Sequence, residues 1–109
     1  MSNSLLIICT CPNENTAQDI ANHLVKMNLA ACVTIQPQAT SIYRWQDKIE
    51  QANEFVLLIK TTVVRYEKLE AAIIARHPYD VPEIIAVPIQ YGSTAYLTWV
   101  EQCTDISSS

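Results

Sequence analysis

The sequence predicts an α+β sandwich whose strands and helices follow in the order β-α-β-β-α-β, with one more helix at the C-terminal end. Three observations predict it. Apolar runs of strand type alternate with stretches whose apolar residues recur every three to four positions. Two extended segments follow one another across a short polar turn, so they form a hairpin. The five prolines and the sole glycine all fall outside the helical stretches.

Ser4 to Thr10 is an apolar run suited to a strand buried on both faces. A turn at Pro12 leads to Asn15 or Thr16, either of which can N-cap a helix over Thr16 to Asn28. Ala17, Ile20, Ala21, Leu24 and Met27 give that helix its apolar face. Ala31 to Tyr43 reads as extended, with Pro37 tolerated at an edge or a bulge. A turn over Arg44 to Lys48 leads into a second extended segment, Ile49 to Thr61. At about twelve residues each, these strands would run roughly 40 Å, against roughly 30 Å for a domain of this size. The hairpin therefore overhangs, and pairing with another copy of the chain is the natural cover for its edges.

Val64 to His77 carries Tyr66, Leu69, Ile73 and Arg76 at helical spacing and is stopped by Pro78. The loop from Pro78 to Pro82 precedes a short strand, Glu83 to Val87, interrupted by Pro88. Gly92 supplies the turn before a last helix capped by Ser93 or Thr94, with Tyr96, Leu97, Val100 and Cys103 on its apolar face. Asp105 to Ser109 reads as a polar tail. The order is the split βαβ plan of ferredoxin-like domains, here a single domain over residues 1–109.

Composition excludes whole classes of function. A chain of 109 residues ordinarily holds about eight glycines, and this one holds 1. Phosphate loops, dinucleotide fingerprints and GxSxG nucleophile elbows each need at least two. A net charge of -4 with no basic cluster argues against nucleic acid. Only 17% of residues are charged, a low share that points to surface buried in an assembly. Leu5 to Cys9 is too short an apolar run for a signal peptide or membrane span, so the expected compartment is the cytosol. Cys9, Cys11, Cys32 and Cys103 form no CxxC pair and are expected as free thiols, Cys32 within the core.

Five stretches carry a wider resemblance: Ala30-Ala-Cys-Val-Thr34, Ser41-Ile-Tyr-Arg-Trp45, Leu58-Ile-Lys-Thr-Thr62, His77-Pro-Tyr-Asp-Val-Pro-Glu83 and Gly92-Ser-Thr-Ala-Tyr-Leu-Thr-Trp99. Together they resemble the CutA divalent-cation-tolerance family, from the first strand to the last helix. The resemblance implies a tight homotrimer of ferredoxin-like subunits whose sheets pair between chains, and a part in tolerance to copper and other divalent ions. It also implies a copper site at a His-His pair before Pro-Tyr together with the Cys that ends the first strand. Cys9 and His77 match those positions, but Arg76 replaces the first His, and a guanidinium cannot ligate a metal. Relatives usually carry Gly after the hairpin Trp, where this chain has Gln46.

Cys9 and His77, with a third ligand from Cys11, Glu83 or a neighbouring subunit, are the candidate ligands for copper or another divalent metal ion. The structural alternative makes Cys9 a small buried hydrophobe and His77 a helix C-cap whose charge suits the dipole. A second constellation, Tyr43, Trp45, Lys60, His77, Tyr79 and Glu83, suits an inter-subunit cleft for a small anionic ligand, or interface anchors. The resulting expectation is a trimeric metal-tolerance protein that binds metal weakly, with no catalytic residues and no organic cofactor. A small-molecule sensor and a purely structural trimer are the alternatives.

Overall fold

The computed structural model describes residues 2–105. Its elements are β1 (Ser4–Cys11), α1 (Glu14–Lys26), β2 (Cys32–Trp45), β3 (Lys48–Thr62), α2 (Tyr66–Arg76), β4 (Ile84–Pro88) and α3 (Thr94–Cys103), with a 3-10 turn at Val63–Arg65 ahead of α2. The strands form one antiparallel sheet in the order β2-β3-β1-β4, the arrangement that the β-α-β-β-α-β reading requires. Beyond Asp105, the expected polar tail lies outside the described residues.

The sheet's alternation decides where the core sits. Ile7, Cys9 and Cys11 of β1 and Leu57 and Ile59 of β3 share one face. They pack with Ala17, Ile20 and Leu24 of α1 and Leu69 and Ile73 of α2. The intervening residues Leu6, Ile8, Val56, Leu58, Ile85 and Val87 lie on the other face of the sheet. Ile85 and Val87 remain 49% and 44% exposed.

Several boundaries differ from the sequence reading for local reasons. The cap of α1 is Asn13, whose side chain accepts the Thr16 N–H at 2.8 Å, so the helix begins with Glu14 favourably placed in its first turn. It ends at Lys26 because Asn28 turns left-handed at φ 58, while Leu29 and Ala30 both donate to the Leu24 carbonyl. The start of α2 is delayed to Tyr66, and the buried Arg65 before it donates from Nε to the Thr104 carbonyl at 3.0 Å. Cys32 is half-buried rather than part of the core, with Sγ 3.7 Å from the Tyr96 hydroxyl. Pro88 ends β4 as a strand residue, which an edge strand allows.

The hairpin is as long as expected. The β1 ladder ends at Cys11 opposite Phe55, so the remainder of β3 toward the tip pairs with β2 alone. The molecule accordingly measures 46 × 26 × 22 Å. A bulge between Gln36 and Ala39 contains Pro37, and Gln38 there takes φ 63. At the tip Gln46 and Asp47 both have positive φ, 50 and 65, as a two-residue type I′ turn demands. Gly92, by contrast, has no positive φ: a Cβ there would meet Leu97 at 3.0 Å. Its close approach to the Leu97 side chain, not a left-handed turn, is what a larger residue there would disturb.

The tip yields a stability prediction. Replacing a left-handed Gln by Gly removes a steric cost of roughly 1–2 kcal/mol, partly offset by unfolded-chain entropy. Gln46→Gly is expected to stabilise the chain by about 0.5–1 kcal/mol, seen as a higher denaturant midpoint at fixed protein concentration.

Candidate metal centre and the adjoining acidic cleft

Cys9 and Cys11 end β1 on the same face, two residues apart, and both are fully buried. β4 pairs with β1 only as far as Cys9, opposite Ile84, so Thr10 and Cys11 reach past its end. The C-terminus of α2 occupies that space. Pro78 stops the helix, and His77 at its C-cap is turned into the core at 8% exposure. Its Nε2–H donates to the Thr10 carbonyl at 2.8 Å, and Nδ1 accepts the Tyr79 N–H at 3.2 Å. A carbonyl can only accept and an amide can only donate, so these partners select one tautomer. The imidazole is therefore tied to β1 and the following loop, and does not serve as a charged cap over the helix carbonyls.

One ligand atom from each of Cys9, Cys11 and His77 lies within 4.8 Å of the others. Among the described residues this is the group of soft donors that could close on one ion. The two thiols titrate as a pair. The hydrogen bond to Cys11 and then burial push the Cys9 thiol up, with the charges of Glu83 and Glu54 adding to the shift. The same hydrogen bond draws Cys11 down, against its burial. Cys11 is the sulfur that loses a proton first. Arg76 plays no part: its guanidinium grips both carboxylate oxygens of Asp19 on α1 at 3.0 Å.

Beside the thiols opens a cleft of about 670 Å³ between the overhanging hairpin and the loop after α2. Of the residues expected there, Tyr43, Trp45, Tyr79 and Glu83 line it. Lys60 does not. It sits six residues along β3 from Glu54, opposite Leu6 and Cys32, and its Nζ donates to Thr34 Oγ1 at 3.1 Å and to the Leu58 carbonyl at 3.3 Å. His77 is turned away from the cleft, and its ring partners are Thr10 and Tyr79 rather than Glu83. Among the lining residues that sequence reasoning missed are two carboxylates, Glu54 and Asp80. Glu54 had a signal: it is the charge directly before the core run Phe55 to Ile59, and a residue there is buried with the strand. Within one chain the cleft thus carries carboxylates and no cation, the opposite polarity to an anion site.

Tyr79 closes the inner wall. Its hydroxyl donates to Glu54 Oε2 at 2.9 Å, and its ring lies 4.8 Å from that of His77, tilted by 50°. Burial and then the carboxylate partner push the Tyr79 phenol up to about 12.

A ferredoxin-like sandwich with buried thiols and an imidazole at the end of β1 defines a small domain built around a site of metal-binding composition. The family model described as CutA1 divalent ion tolerance protein matches residues 5–103. The divalent-cation tolerance protein CutA of Escherichia coli (strain K12 / DH10B) is 42% identical over 97 residues, 89% of this chain and 87% of that protein. The crystal structure of CutA from Xylella fastidiosa superposes with a TM-score of 0.94 at 46% identity, covering 95% of this chain and 100% of that one. The structure of a protein from Archaeoglobus fulgidus described as periplasmic divalent cation tolerance protein CutA gives 0.91 at 34% identity, over 94% and 99%. The chain belongs to the CutA1 divalent ion tolerance family. Among its described residues no helix is long and apolar enough to cross a membrane.

The phenol gives a pH prediction. An acid whose pKa rises on folding favours the folded state below its unfolded value of about 10, and this contribution is lost as pH climbs through about 12. Ultraviolet difference titration should show one tyrosine ionising near 12, absent from Tyr79→Phe and shifted downward in Glu54→Gln.

Proposed function

We propose that the chain is a non-catalytic metal-tolerance protein that holds a soft metal ion, copper foremost, at Cys9 and Cys11 with His77. One observation carries this reading: the three buried donors within 4.8 Å of one another. Two thiols and an imidazole match copper or zinc better than the hard cations, which prefer oxygen. Bound there, the metal would draw the pair into its thiolate form, with Cys11 the first to ionise. His77 must give up the Tyr79 N–H or the Thr10 carbonyl before either nitrogen can ligate, and with Arg76 in place of a second imidazole this keeps affinity modest. The acidic cleft next to the thiols raises the local concentration of cations. Free, buried thiols suit a reducing compartment such as the cytosol.

The same reading includes a homotrimer. A hairpin that outruns its own sheet, an unpaired β2 edge and the exposed Ile85 and Val87 on the sheet's second face all favour pairing between copies.

Titration of the reduced protein with Cu and Zn tests the metal reading. Cys9→Ala, Cys11→Ala and His77→Ala should each weaken binding by about tenfold or more, with circular dichroism showing the fold intact. Micromolar binding that survives all three substitutions would overturn the assignment. Light scattering should give a mass about three times 12.2 kDa, and a value near 12.2 kDa removes the trimer.

A further inference from the structure

From the cleft we infer a second site, separate from the thiols: a pocket for a small organic cation whose ammonium head sits against Glu54. Three features on its walls point the same way. Tyr43, Trp45 and Tyr79 bring three aromatic rings to a cavity of about 670 Å³, within the range of small-molecule sites. Ring faces carry negative charge and attract cations. Glu54, Asp80 and Glu83 bring carboxylates to the same walls, with no Lys or Arg among the lining residues.

Glu54 is the decisive member. It is only 6% exposed, and its hydrogen-bond donor is a neutral phenol, that of Tyr79. Burying a carboxylate is costly unless an opposite charge accompanies it. Arg76 pairs with Asp19 on the helical side, and no Lys or Arg lines the cleft, so the described lining residues supply no cation to Glu54. The carboxylates are also not gathered for a metal ion, because the described residues that converge at ligand distance are the two cysteines and His77. A spread of carboxylates around an aromatic box matches an organic cation, whose charge is held by one carboxylate and whose carbon body lies on the rings. Trp45 and Tyr43 are 58% and 45% exposed in the single chain.

The test uses the assembled, metal-free, reduced protein and a matched pair of probes, benzylammonium chloride and benzyl alcohol. Trp45 lines the cleft while Trp99 lies on α3, so the fluorescence change on binding is assigned by comparing the protein with Trp45→Phe. Benzylammonium should bind with a Kd on the order of a millimolar or tighter and weaken as salt is raised. Benzyl alcohol should bind about tenfold more weakly, as should benzylammonium to Glu54→Gln. If Glu54→Gln fails to fold, Tyr43→Leu at the exposed rim replaces it, read by isothermal titration calorimetry, with a loss of about threefold or more expected. Cys9→Ala should bind benzylammonium unchanged, which separates this site from the metal reading. Equal binding of the alcohol overturns the proposal, as does full affinity in Glu54→Gln or, where that variant does not fold, in Tyr43→Leu. Failure of benzylammonium to bind the assembly overturns it too, including the case in which a basic side chain of a second copy already fills the cavity.

Discussion

The hydrogen bond from His77 Nε2 to the Thr10 carbonyl is the contact on which the site depends. β4 stops pairing at Cys9, which leaves the next stretch of β1 without a strand on that side. A buried backbone carbonyl must find a donor, and the end of α2 delivers one. The bond fixes the helix end, and Pro78 then directs the chain across the tip of β1. Tyr79 follows from the same placement: its N–H donates to His77 Nδ1, and its hydroxyl reaches Glu54 on β3. One short chain of bonds therefore sets both the wall of the cleft and the position of the imidazole beside the thiols. Remove it, and the imidazole and the phenol lose their anchor beside the thiols, which the β1–β3 ladder still holds in register.

The order of elements and the overhanging hairpin were legible because they rest on long apolar patterns, which local detail cannot disguise. Ends were less legible. Asn13, Asn15 and Thr16 are all fair N-caps in sequence, and Asn13 took the role because the chain turns directly after Pro12. The cysteine and histidine of the candidate centre could be named from the sequence, since strand alternation puts Cys9 and Cys11 on one side. Lys60 does not line the single chain's part of the cleft, because it lies six residues further along β3 than Glu54. Cys32 misled for a related reason: an apolar neighbourhood at a strand start does not say whether a helix covers it. Glu54 and Asp80 add carboxylates to the single chain's part of the cleft, a three-dimensional grouping that no linear spacing records.

Scarcity of glycine shapes the backbone in a way that composition alone could not reveal. Left-handed conformations still occur, at Asn28, Gln38, Gln46 and Asp47. Asn and Asp enter this region at modest cost because their short polar side chains bond locally, and Gln has less such help. Gln38 and Gln46 both sit in the β2-β3 hairpin, one at the bulge and one at the tip. The strain is thus concentrated in the element that projects from the sheet, and it persists because the long ladder between β2 and β3 holds both positions. The sole glycine lies instead in close packing, against the Leu97 side chain.

The two sites are electrostatically joined. Glu54 and Glu83 line the cleft, yet their charge also helps to push up the Cys9 thiol. They add to the larger effects of the hydrogen bond to Cys11 and of burial, which already keep the Cys9 thiol protonated. A cation in either place changes that balance. A metal ion held by the sulfurs would replace the thiol protons, and the carboxylates would favour it only to the extent that its charge exceeds that of the protons lost. An organic cation bound as proposed against Glu54 would screen one of the carboxylates that raise the Cys9 thiol. Any linkage between the cleft and the sulfurs through Glu54 would be slight, because Glu54 is the smallest of the effects that raise the Cys9 thiol.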